Sequence, residues 1–428
     1  MQLIIKKANK ISGNIAVPGD KSISHRSVML GAIAEGTTHV TGFLPSEDCI
    51  STMSCFQALG VNIERLSDTE LVIHGVGLKG LKEPGDVLDV GNSGTTMRIL
   101  PGILAGQGLF AVLTGDSSIR RRPAGRIVEP LRLMGAEIWG RDGGRYAPLA
   151  IQGSRLKGIK YDLPVASAQI KTSLLLAGVL ADGETRITEP SKSRDHTERM
   201  LQLFGAQLDI NDNTYRIMGG QRLKADIIDV PGDISSAAFF MIAASIIDDS
   251  LLTMENVGIN ETRTGIIDVL HEMGARVALH DVEERSNEPR ATLEIRSAHL
   301  KAVTIGGEII PRLIDEIPII AVAATQAEGR TVIRDARELR IKESDRIAAL
   351  SAELRKMGAN IEELEDGMVI HGPTRLRGAT VKSHGDHRIA MSLAIAGLVA
   401  DGKTIIDNSE CIAISYPSFE ETLRSIVE

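Results

Sequence analysis

The chain has 428 residues, too many for one ordinary domain, and its 43% hydrophobic content is enough to build large cores. A formal net charge of −8 argues against a general nucleic-acid or membrane-surface binder, which needs a basic face, yet leaves room for a local basic site. Aromatic residues make up only 3%, so the cores must be filled by Ile, Leu, Val, Met and Ala.

The opening MQLIIKKANKISG holds only a short apolar stretch, Leu3 to Ile5, which reads as a strand and not as a signal peptide. No run of about 18 apolar residues suggests a membrane span. Gly19-Asp20-Lys21-Ser22-Ile23-Ser24-His25-Arg26 follows as a polar helix start, with Lys21 in the turn and Arg26 inside the first helical turns. The two cations could grip different anions; a solvated capping turn is the plain alternative. GxxxxGK[ST] is absent, so this is no Walker A loop. The helix ends at Ala34-Glu35-Gly36.

Leu59-Gly60-Val61 closes an amphipathic helix, with the glycine fitting a left-handed cap. The signature returns at Gly135, Gly205, Gly274 and Gly358, spaced roughly 70 to 85 residues apart, longer than common solenoid periods. A β-branched strand follows each. GNSGTTMR, from Gly91, is the second polar start. After strand-like Leu109 to Leu113 comes Asp116-Ser117-Ser118-Ile119-Arg120-Arg121-Arg122-Pro123. Here a solvated surface competes with anion binding, but Arg122 has the restricted backbone before proline that a bidentate contact favours.

Ser167-Ala168-Gln169 starts a third helix, Ala168 to Ala181, apolar nearly all round and predicted to be fully buried. Val230-Pro231-Gly232 reads as a hinge. Beyond it, GDISSAA opens an apolar helix from Ser236 to Ile247, and the fifth start differs, around Leu313-Ile314-Asp315. Arg340-Ile341-Lys342-Glu343-Ser344-Asp345-Arg346 mixes charges before a helix whose Ile347, Leu350, Leu354 and Met357 share a face; Lys342 and Arg346, at i,i+4, should share one too. An exposed ion-pair surface is the bland reading. Two anion ligands beside a proton-transferring carboxylate is the sharper one. Gly385-Asp386-His387-Arg388 caps the last apolar helix, Arg388 to Ala400, with no second His or Cys at metal spacing.

Helix N-termini carry unpaired N–H groups and attract anions. Polar starts on buried helices should therefore lie at an exposed rim. Six units imply two domains of three, and Leu3 to Ile5 could pair with the sixth. Cys49, Cys55 and Cys411 form no CxxC pair, which fits a reduced, cytoplasmic setting.

Taken in order, GDKSISHR, GNSGTTMR, RRRPAGR, ASAQ, RIKESDR and GDHR resemble the motif series of the 5-enolpyruvylshikimate-3-phosphate synthases, an enolpyruvyl transferase family. The resemblance runs from Val17 to the C-terminus, and ASAQIK and SRDHTERM are similar to the class II branch. It implies a two-domain inside-out α/β barrel of six βαβ-type repeats, helices buried and sheets outside. Residues 1–18 with 231–428 would form one domain and 19–230 the other, with the active site in the cleft.

The implied reaction moves the enolpyruvyl group of phosphoenolpyruvate to the 5-hydroxyl of shikimate 3-phosphate, by addition and then elimination of phosphate. No metal or other cofactor is implied. The partners are the two small substrates, with no nucleic acid, no membrane and a monomeric enzyme. Carried over by position, Lys21, Ser22, Arg26, Ser167, Ala168, Gln169, Arg194, Asp315 and Lys342 look like shikimate-phosphate ligands. Lys21, Gly94, Arg122, Gln169, Arg346 and Arg388 look like phosphoenolpyruvate ligands. Asp315 resembles the base for the 5-hydroxyl, and Glu343 with Lys21 the proton donor to the methylene carbon. Side-chain-free Gly94 implies room for glyphosate, the family's inhibitor.

Two positions depart from the family pattern. Ile414 stands where a late Lys is expected, and Glu338 where an Asn binds the shikimate phosphate. The related UDP-N-acetylglucosamine enolpyruvyl transferases show Lys-Asn at the first start and a Cys in the arginine-rich loop. Here the residues are Lys21-Ser22, and Gly115 to Arg126 holds no Cys. A non-catalytic anion-binding scaffold would leave Asp315 and Glu343 beside so many cations without a purpose.

Overall fold

A helix that is apolar on every side can only be stable inside. The computed structural model, which describes residues 1–428, buries the helices Lys21–Ile33, Gly94–Leu104, Ala168–Leu180, Ile234–Ile246, Ile317–Gln326 and His387–Val399 along most of their length. The amphipathic helices pack on them by one stripe: Ile347, Leu350, Leu354 and Met357 of Arg346–Lys356 and its cap are all 0% exposed. Truncating such a leucine to alanine costs about 2–5 kcal/mol.

The chain divides into two units. One comprises Met1–Pro18, Pro231–Glu284 and Pro289–Glu428; the other comprises Gly19–Val230 and Arg285–Glu288. Each holds three small sheets of three or four strands, and none closes on itself. The architecture is thus mixed α/β with open sheets around helices, not a closed barrel. In the first unit, Gln2–Lys6 runs antiparallel to Lys403–Asp407, and Ser12–Ala16 runs parallel to Leu251–Gly258. In the second, Ile227–Asp229 runs parallel to His39–Thr41. The opening strand pairs with the sixth repeat, as the repeat count suggested.

The glycine signature has a backbone cause. Gly60, Gly135, Gly205, Gly274 and Gly358 adopt φ of 87°, 99°, 83°, 86° and 92°, the left-handed region that ends a helix without a Cβ clash. A second glycine does a different job. A Cβ on Gly397 would lie 2.9 Å from the Ile5 side chain, and one on Gly178 2.9 Å from that of Ile217, so these buried helices approach their sheets by omitting a side chain.

Candidate active site

Each unit gathers the starts of its three buried helices. In Gly19–Val230 the first helix is capped by Asp20, which accepts from Ile23 N–H at 2.9 Å, so Lys21 is the first helical residue and not part of the turn. Its ammonium lies 3.2 Å from Asp48 on the neighbouring helix. Ser93 caps the second helix, and Ser167 accepts from Ile170 N–H at 3.5 Å to cap the third, whose first residues are Ala168 and Gln169.

Arg26 ties these starts together. Its Nε donates to Thr197 at 2.6 Å, Nη2 to Thr172 at 2.9 Å and Nη1 to the Ser22 carbonyl at 3.0 Å. The guanidinium is 4% exposed and is held by neutral oxygens. Burial above all pulls it down to about 10, with Glu198, Asp20 and Glu288 only partly offsetting this. Burial, then Lys21 and Arg26, also hold the His25 imidazole well below its ordinary range, so it stays neutral beside Thr52, 2.7 Å away.

Gly94 opens the second helix, and a Cβ there would fall 2.7 Å from Arg122 Nη2, so the missing side chain lets the arginine lie flat on the backbone. Arg122 has the extended backbone expected before Pro123 (φ −80°, ψ 133°). Arg98, which the sequence reading passed over, donates to Gln169 Oε1 at 3.2 Å and to the Gly94 carbonyl at 3.5 Å. It sits at i+4 from Gly94, a spacing that would have revealed it. Gln169 Nε2 in turn reaches Thr95 at 3.5 Å. Arg194 is half-buried, just ahead of the helix His196–Leu203.

The other unit builds its cluster from Asp315, Glu316, Lys342, Glu343, Arg346, Asp386 and Arg388. The shared helical face expected of Lys342 and Arg346 does not exist. Asp345 caps the helix, which begins at Arg346, and Lys342 precedes it in extended backbone (φ −80°, ψ −152°). The two cations meet on Asp315 instead, whose Oδ1 is 3.6 Å from Lys342 Nζ and 3.1 Å from Arg346 Nη1. Arg346 also binds Glu343 at 2.6 Å and Asp386 at 2.8 Å. Burial alone would lower this guanidinium; Asp386, Glu343 and Asp315 outweigh it and hold it above its ordinary value. Arg388 donates to the Asp315 carbonyl at 3.1 Å, while its own N–H is capped by Asp386 at 2.9 Å. Arg388 Nη1 stands 3.9 Å from Glu316, which also accepts from Ser235.

The exposed rim expected of these starts is therefore only partly exposed. Lys21, Ser22 and Gln169 are half-buried, whereas Arg346 is 1% and Arg388 7% exposed. Buried charge is tolerated because each cation has hydrogen-bonded partners. Neither departure supplies a replacement cation. Ile414 is packed in the core beside Tyr416, whose ring meets Phe240 and Phe419 at 5.8 and 5.6 Å. Glu338 is half-buried in the 3-10 turn Arg337–Ile341. No group of three or more His, Cys, Asp or Glu is placed to hold a metal ion.

The chain as a whole is similar to known proteins. Residues 5–423 match the family model for EPSP synthase (3-phosphoshikimate 1-carboxyvinyltransferase). The chain is 56% identical over 420 residues to a 3-phosphoshikimate 1-carboxyvinyltransferase of Bacillus thuringiensis subsp. konkukian, covering 98% of both chains. It is 55% identical over 420 residues to the one of Bacillus anthracis, again covering 98% of each. Among solved structures, an EPSP synthase from Acinetobacter baumannii superposes with a TM-score of 0.89 at 47% identity, covering 100% of this chain and 98% of the other. The enolpyruvyl transferase NikO from Streptomyces tendae, at 18% identity and a TM-score of 0.80 over 99% and 97% of the chains, shares the fold. The chain belongs to the EPSP synthase family.

Proposed function

We propose that this chain transfers the enolpyruvyl group of phosphoenolpyruvate to the 5-hydroxyl of shikimate 3-phosphate in aromatic amino acid biosynthesis, giving 5-enolpyruvylshikimate 3-phosphate and phosphate. The observation that carries this reading is the acid cluster on arginine: Asp315 and Glu343 flank the single guanidinium of Arg346 at 3.1 and 2.6 Å. Asp315 takes the proton of the 5-hydroxyl as its oxygen bonds to C2 of phosphoenolpyruvate. Glu343, with Lys21, delivers a proton to C3, giving the tetrahedral intermediate. Loss of a C3 proton and expulsion of phosphate then restore the double bond. Acid and base must differ in environment for this to work.

The substrates together bring two phosphates and two carboxylates, which the cations answer. Ser22, Arg26, Ser167, Ala168, Gln169, Arg194 and Lys342 hold shikimate 3-phosphate. Lys21, Gly94, Arg122, Gln169, Arg346 and Arg388 hold phosphoenolpyruvate. The acid–base pair lies on one unit and Arg26, Arg122 and Lys21 on the other. The enzyme acts as a monomer in the cytoplasm; free Cys49, Cys55 and Cys411, all buried, support a reducing compartment.

Phosphate release from phosphoenolpyruvate tests the reading. It should require shikimate 3-phosphate and should not respond to UDP-N-acetylglucosamine. Release with the sugar nucleotide alone would overturn it.

A further inference from the structure

Beneath the third helix start lies an ion cluster that the reaction does not use. Lys171, two residues past Gln169, is 0% exposed. Its ammonium lies 2.8 Å from Glu189 and 2.7 Å from Glu198, both buried, and 4.3 Å above the Tyr215 ring. It also reaches the Ser193 carbonyl at 3.4 Å and Tyr215 Oη at 3.3 Å. Glu189 completes the set by accepting from Tyr215 Oη at 2.6 Å, from Ser193 N–H at 3.1 Å and from Ser193 Oγ at 2.6 Å.

Ser193 is thus clamped at its amide, hydroxyl and carbonyl, and the next residue is Arg194. The pair Lys171–Glu198 has a parallel effect on its chain neighbours. Thr172 and Thr197 lie 2.6 Å apart, and they are the two hydroxyls that hold Arg26. A buried pair contributes little net stability against an apolar replacement, which leaves it open to another role.

We propose that Lys171 is a positioning residue for the acceptor: by drawing Glu189 and Glu198 onto the third helix, it sets Arg26 and Arg194 to receive one phosphorylated anion. This rests on the reading that those two arginines bind shikimate 3-phosphate. The cluster fixes their spacing before substrate arrives, which lowers the ordering cost of binding.

The test compares K171M, the charge-relieved K171M/E198Q, and R26M as a control. It measures shikimate 3-phosphate binding by calorimetry, Michaelis constants for both substrates, and thermal unfolding. In K171M/E198Q, Glu189 keeps its Tyr215 and Ser193 hydrogen bonds but loses its cation. This variant should unfold below the wild-type temperature yet stay folded under assay conditions, and should bind shikimate 3-phosphate about ten-fold or more weakly, with the phosphoenolpyruvate constant moved less than about three-fold. Wild-type affinity in a folded K171M/E198Q, with R26M impaired, overturns the positioning role alone. Wild-type affinity in R26M instead overturns the site reading beneath it. Loss of the folded state in both Lys171 variants also counts against the proposal, since the cluster would then be holding the core and not the site.

Discussion

Arg26, in the second turn of its helix, and Arg346, the first residue of its own, are both buried, 4% and 1% exposed, yet they are held in opposite ways. Arg26 bonds to two threonine hydroxyls and a carbonyl, and burial lowers it to about 10. Arg346 is surrounded by Asp315, Glu343 and Asp386 and is held above its ordinary value. The first is bonded to neutral oxygens and, under the proposed function, receives an anion. The second already has three carboxylate partners and, under the proposed function, orients these acids as well as holding phosphoenolpyruvate. The same residue type is thus held by neutral oxygens in one unit and by carboxylates in the other.

If this contrast holds, the largest rate effects belong to the Arg346 side. Glu343→Gln and Asp315→Asn should each lower kcat about 100- to 10,000-fold while moving the Michaelis constants far less. Steady-state kinetics decide it; a change confined to KM would make either residue a binding group.

Exchanging the arginines themselves sharpens the comparison next. Arg26→Met should weaken shikimate 3-phosphate about 100-fold in calorimetry and cost about 1 kcal/mol of stability, because Thr172 and Thr197 still bond each other. Arg346→Met strands buried Asp386 and should cost about 3–5 kcal/mol in denaturant unfolding. Equal stability losses would erase the distinction.

The smallest effect is expected at Gly94. A methyl there meets Arg122 at 2.7 Å and should raise the phosphoenolpyruvate constant about three-fold. Glyphosate, being longer, should lose more. Inhibition constants for wild type and Gly94→Ala measured against phosphoenolpyruvate test this; equal losses would mean that the methyl acts only by displacing Arg122.

Much of this was legible in the residues because it depends on local chemistry. Capping by Asp20, Ser93, Ser167, Asp233 and Asp386, the left-handed glycines and the all-round apolar helices are each written within a few positions. What stayed hidden depends on distant parts meeting. Lys171 looks like one polar residue in an apolar helix until Glu189, Glu198 and Tyr215 are brought to it. Lys342 and Arg346 suggested one helix face because spacing says nothing of where Asp345 starts the helix. The assignment of Arg285–Glu288 to the second unit, where Glu288 lies 2.7 Å from His196, has no sequence signal.

The pairing of Gln2–Lys6 with Lys403–Asp407 has a consequence for how the molecule is made. During synthesis, the segment Gly19–Val230 emerges as one continuous run containing nearly all of its unit, and its last strand, Ile227–Asp229, finds His39–Thr41 already present. The strand Gln2–Lys6 has no such early partner. It waits until the sixth repeat has been translated, its edge open meanwhile, and the loop it must close is among the longest the chain allows. Charged Lys6 and Lys7 beside that edge are well placed to discourage mispairing during the wait.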